Sequence, residues 1–186
     1  MPQDFLKSEN LDALRQKGYH TFDLENEYGE RKLAQTGLDH KAKGCKVTYN
    51  PDLPWPKYYP AAGEATFTDG IIGGWTYSDQ RWQGFLSPID VTIDLGSVQE
   101  VHYVGGTFMQ LIGPGVFMPA QVIVSVSTDG EHYTELQTID NEVVRDDAVT
   151  FKTLGWEGSA EARYVRYQAR RSDFGGFLFI DEVVVR

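Results

Sequence analysis

The chain has 186 residues, enough for one domain with a real core and an arm beside it. Its formal net charge of −10, without a basic stripe interleaved with aromatics, argues against nucleic acid and anionic membrane as partners. The single cysteine, Cys45, excludes an internal disulfide and any cysteine-based zinc cluster.

In chain order, residues 4–17 read as a short helix: Ser8 is a candidate cap, Leu11 and Leu14 share a face, and Gly18 ends it. Met1-Pro2-Gln3-Asp4 lacks an apolar h-region, so no signal peptide is expected there, and no run reaches transmembrane length. Tyr19–Leu24 alternates like a short strand. Residues 25–44 are polar and charged, the pattern of a linker, an arm or the tail of a preceding domain. The composition changes near residue 45, which divides the chain into an arm, 1–44, and a domain, 45–186.

Cys45–Tyr49 reads as the first strand. Asn50-Pro51-Asp52-Leu53-Pro54-Trp55-Pro56 is a rigid turn, because each proline fixes its own φ and restricts its predecessor. Short strands follow at Val91–Leu95, Val101–Phe108, Gln121–Ser127, Tyr133–Ile139, Val149–Leu154, Tyr164–Arg170 and Leu178–Val185. Such spacing, with no strong helical period after residue 45, predicts an all-β fold, an antiparallel β-sandwich behind a short helical arm.

Several pieces stand in a recognisable order. They are Thr68-Asp69-Gly70, Trp82, Ile93-Asp94-Leu95-Gly96, Val124–Gly130, Ala162–Tyr167 and Ile180-Asp181-Glu182-Val183. Together they resemble the discoidin, or coagulation factor 5/8 type C, domain, whose sugar-binding relatives are the family 32 carbohydrate-binding modules. The longer run Tyr59–Gly63, Thr68–Gly70, Tyr77–Asp79 and Arg81–Phe85 resembles the module at the C-terminus of bacterial β-N-acetylhexosaminidases, the chitobiases of glycoside hydrolase family 20. The resemblance spans residues 45–186. It implies a discoidin-like jelly roll of the galactose-binding-domain-like type that holds a glycan and performs no chemistry. The parent would be a larger bacterial glycoside hydrolase that is secreted, periplasmic or at the cell surface. The catalytic barrel of such an enzyme needs about 250 residues, too many for this chain.

The resemblance also implies a structural Ca²⁺, with Asp69 and Glu182 giving side-chain oxygens and carbonyls near Thr66, Ile71 and Asp181 completing the set. Here the stretch Ile72–Tyr77 is inserted into the family loop, and Gln80 stands where the family has a threonine ligand. The other reading of Asp69 is a turn cap, and of Glu182 an ion pair. For the sugar, ring faces and planar polar groups are needed at one end of the sandwich. The candidates are Trp75, Tyr77, Gln110, Phe117, Arg170, Arg171, Phe174 and Phe177, with Gly73-Gly74 and Gly175-Gly176 letting backbone approach a ligand. Trp82, Phe85 and Phe179 are expected in the core, and Trp75 and Tyr77 fit either place. The expected partners are a carbohydrate, of galactose or N-acetylhexosamine type, and the parent catalytic domain, with the module itself monomeric. In the rival reading the module binds no sugar and packs against its parent through Phe117, Met118 and Phe174.

No enzymatic motif competes. The carboxylates at Asp23, Glu25, Glu27 and Glu30 have the look of a solvated arm. The histidines at 20, 40, 102 and 132 are scattered, and neither H-E-x-x-H nor G-x-S-x-G occurs.

Overall fold

The computed structural model describes residues 36–186. The expected helix at 4–17, the strand at 19–24, His20 and the carboxylates at 23–30 lie outside the described residues. Seven strands follow: β1 (Lys46–Tyr49), β2 (Gln83–Phe85), β3 (Ile89–Gln110), β4 (Gln121–Ser127), β5 (Thr134–Asp140), β6 (Thr150–Arg170) and β7 (Leu178–Val185). Two 3₁₀ turns, Gly63–Thr68 and Tyr77–Asp79, are the helical elements among the described residues.

Hydrogen bonds connect the strands in the order β2-β7-β3-β6-β4-β5, with β1 added to β3, and every pairing is antiparallel. The ladder makes two layers because β3 and β6 bend together. Ile89–Asp94 pairs with β1 and with Tyr164–Ala169, while Val104–Met109 pairs with β7 and with Phe151–Trp156. The β3 register slips between Asp94 and Gln99, where Gly96 adopts φ 89° and donates its N–H to Asp94 Oδ1. The turn signals around Gly96 and Gly155–Gly158 therefore bend two long strands where the sequence suggests four short ones. β2 escapes the sequence pattern because it is three residues with a central glycine. A Cβ at Gly84 would lie 2.0 Å from the Phe179 ring.

The main core fills the space between the layers and includes Ile93, Val104, Phe108, Val124, Val165, Ile180 and Phe67. A second cluster, Trp82, Met109, Val116, Phe151 and Phe179, lies on the other face of β3 and β7. Strand alternation requires this, since Met109 follows Phe108 and Phe179 precedes Ile180. The loop before β2 covers that face. Trp82 is fully buried, stacks on Phe151 and donates its indole N–H to the Gly74 carbonyl. Residues 38–44 also pack onto the sandwich. Leu38 N–H donates to Gly70 O, Lys41 N–H to Val185 O and Gly44 N–H to Thr68 O.

Candidate functional site

The residues singled out for metal converge beside β7. Gly106 pairs with Val183 and Phe108 with Ile180, so Asp181 and Glu182 together face the single residue Thr107. This bulge turns two successive carboxylates away from the normal alternation. Asp181 is fully buried and accepts from Gly73 N–H at 2.9 Å and from Glu182 N–H at 2.5 Å. Glu182 is almost as buried. Its Oε2 lies 3.2 Å from His40 Nε2. His40 Nδ1 accepts from the N–H groups of Ala42 and Val185, which assigns the ring proton to Nε2 and makes His40 the donor to Glu182. Burial, then the charge of Arg186, lowers the His40 pKa to about 4, so the ring is neutral at physiological pH.

Glu182 Oε1 is buried and has no hydrogen-bond partner among the described residues. Burial, followed by the charges of Asp69 and Asp181, raises the Glu182 pKa to about 10. The Gly70 and Asp69 amides oppose that shift while falling short of a bond to Oε1. Burial raises Asp69 to about 6, with Asp181 adding to it, and Asp69 Oδ1 accepts from Ile71 N–H at 2.9 Å. Thr66 spends its hydroxyl on the carbonyls of Gly63 and Pro60. Among the described residues, no three His, Cys, Asp or Glu side chains form a ready metal cluster. What the site offers a hard cation is the carboxylate chemistry of Asp69 and Glu182, with Glu182 Oε1 unpartnered.

Loops 50–58, 86–88, 111–120, 141–149 and 171–177 gather at one end of the sandwich, where β1, β3 and β5 end and β4 and β7 begin. There Phe117 stacks on Phe174 with centroids 5.3 Å apart, and the Arg145 guanidinium sits 5.5 Å from the Phe174 centroid. Phe174 is 48% exposed, whereas Phe117 is buried beneath it. Arg170 is exposed at the end of β6, and Arg171 Nη1 donates to Gly176 O at 3.2 Å. Phe177 and Tyr77 both pack edge-on against Tyr59 and extend the second cluster toward this end. Trp75, 56% exposed, stands further along the covering loop, next to Gly74.

Gln110 is buried. Its amide donates to Val144 O and accepts from Met118 N–H, so it ties two loops together. One glycine of each pair is required by the protein itself, while a Cβ at Gly175 would meet nothing within 4 Å. A Cβ at Gly73 would lie 2.4 Å from the Trp82 indole, and one at Gly176 would lie 2.2 Å from the Gly115 carbonyl oxygen. The second contact fits the bond from Phe177 N–H to Gly115 O.

Sequence reasoning missed His40, Arg145 and Trp55. His40 sits within a charged run, and only its fixed place before β1 marks it. Arg145 lies in a polar loop with no local pattern. Trp55 carries a signal, a large ring between two prolines, but the prolines also spell a turn.

No protein-family model matches the sequence, and no curated protein is similar to it. Solved structures are similar in fold. Chitosan-binding module 1 of a chitosanase/glucanase from Paenibacillus sp. IK-5 superposes with a TM-score of 0.54 at 16% identity, over 80% of this chain and 98% of that one. Module 2 of the same enzyme, solved with chitotriose, gives 0.51 at 16% identity over 78% and 98%. The module CpGH89CBM32-4 of Clostridium perfringens, solved with GlcNAc-α-1,4-galactose, gives 0.50 at 14% identity over 82% and 96%. The chain therefore has the β-sandwich fold of these modules, matched across nearly their whole length.

Proposed function

We propose that the chain is a non-catalytic carbohydrate-binding module. One observation carries the reading: the Phe117–Phe174 stack, topped by Arg145 and flanked by Arg170 and Arg171, stands open at the loop end. The Phe174 ring, packed against Phe117 and Arg145, keeps about half its surface open to the C–H side of a sugar, and the guanidinium groups beside it donate to the sugar hydroxyls. The fold shared with three carbohydrate-binding modules supports the reading. The glycan is of galactose or N-acetylhexosamine type, bound weakly, with Kd on the order of 0.1–1 mM. The parent is a bacterial glycoside hydrolase such as a chitobiase, secreted, periplasmic or at the cell surface, and the module is a monomer. A structural Ca²⁺ rests on Asp69 and Glu182, with carbonyls near Thr66, Ile71 and Asp181 completing its shell. The buried, unpartnered Glu182 oxygen supports that assignment.

A glycan array with the purified chain, with and without EDTA and with Phe174→Ala, tests the function. Binding to galactosyl or N-acetylhexosaminyl glycans that Phe174→Ala abolishes is the expected result. The exposure of Trp75, Leu86 and Phe174 favours a second reading, a surface that docks on the parent enzyme. An array blank for every glycan, with the chain folded, would overturn the first reading and leave the second standing.

A further inference from the structure

We infer that a second saccharide subsite lies where the end of β1 meets the start of β3, with Trp55 as its stacking face and Asn50 and Asp90 as its polar rim. The inference rests on the carbohydrate-binding reading and deepens it with residues that the reading does not use.

Trp55 is held out from the surface. Pro54 and Pro56 fix the backbone on both sides, and the ring is 42% exposed. It leans on Tyr49, with centroids 4.8 Å apart and planes at 57°. Tyr49 is itself pinned, donating its hydroxyl to Gln83 Oε1 at 2.6 Å. The indole thus has a set orientation before any ligand arrives, which lowers the ordering cost of binding. A cleft of about 350 Å³ opens beside it, with Pro54, Pro88, Asn50 and Asp90 in its wall. That volume lies within the roughly 300–1,000 Å³ of small-molecule sites.

The polar rim decides the ligand class. Asp90 accepts from Arg166 Nε at 2.9 Å, from Arg166 Nη2 at 2.7 Å and from Asn50 Nδ2 at 3.0 Å. Burial pushes its carboxyl up, but those bonds and the Arg166 charge outweigh it, so the group is ionised at neutral pH. Oδ1 accepts one of the three bonds and keeps a lone pair for a ligand hydroxyl. The cleft continues from Asp90 over Thr48, Thr92 and Tyr133 on the sheet surface, a row of further hydroxyls. A ring stacked on an indole beside an anionic acceptor describes a neutral hexopyranose. Uronic and sialic acids are disfavoured by Asp90 and by the net charge of −10.

The test is a ¹⁵N-labelled titration of the whole chain with chitotriose and, separately, with N-acetyllactosamine, following the four indole N–H signals. A saturable shift of the Trp55 signal, with buried Trp82 unmoved, is expected from at least one probe. In the variants, which lack that indole, the backbone N–H signals of Asn50 and Asp90 in the cleft wall report the same event: Trp55→Ala should weaken it about tenfold while Trp55→Tyr, which keeps a ring face, retains it. An unchanged Trp82 signal certifies that each variant is folded. Shifts confined to the Phe117, Phe174 and Trp75 loops would overturn the subsite and leave the module a sugar binder. No shift with either probe, together with a blank glycan array, would overturn both.

Discussion

At the scale of single residues, two positions carry most of the consequence. Gly73 lies flat under the Trp82 indole, so Gly73→Ala drives a methyl into a fully buried ring that rests on Phe151. We expect a loss of about 1–3 kcal/mol in urea unfolding, because overpacking at a filled site cannot relax cheaply. Glu182 is the other. Its unpartnered oxygen and its raised pKa mean that a bound cation would replace a proton. Calcium should therefore raise the thermal midpoint relative to EDTA, and Glu182→Gln should remove most of that difference. An equal midpoint in calcium and EDTA for the unaltered chain would refute the assignment. Asp69 and Glu182 were legible because each sits inside a short motif. His40 was not, since nothing local says that a histidine in a charged stretch will fold back 142 residues to meet a carboxylate.

At the scale of elements, the two bent strands are bound to each other by more than their ladder. Arg166 on β6 forks onto Asp90 of β3, and Arg163 onto Asp94, each through two hydrogen bonds. Both carboxyl groups are held below their ordinary range. At Asp90, burial is outweighed by Arg166 and Asn50; at Asp94 the Arg163 bond leads. The folded pKa lies below the unfolded one, so the stability is fully present above about pH 4 and is lost as pH falls through the folded value. Unfolding midpoints measured from pH 7 down to 2.5 should drop in the acid range, and Asp90→Asn should flatten that drop. At neutral pH the same substitution should cost about 1–3 kcal/mol. β4 and β7 were legible residue for residue: in β4 apolar alternation and the following turn residues agree, and in β7 a mostly apolar run follows the Gly175-Gly176 turn. The continuity of β3 and β6 was not, because a glycine that bends a strand and one that ends it look alike in sequence.

For the molecule as a whole, the sandwich was legible from the density of short alternating runs and turns, and solved carbohydrate-binding modules share that fold at 14–16% identity. The loop end was only half legible. The sequence nominates rings and arginines, but burial sorts them: Phe174 stays open, Phe117 supports it, and Gln110 joins loops. Because one core cluster holds residues of both layers, we expect a single urea transition, with tryptophan fluorescence and far-ultraviolet circular dichroism coincident. Separate transitions would mean that the outer cluster around Trp82 opens on its own.

The way the described chain enters and leaves the sandwich has a mechanical consequence. Lys41 is bonded to Val185, and Arg186 Nη1 reaches back to Asp39 O, so the two paths run side by side. Tension applied through both would not pull the layers apart as a block. It would peel residues 38–41 from the edge of β7 one bond at a time. The first event would carry His40 away and flood Glu182 with water, long before the ladder between β3 and β6 felt any load.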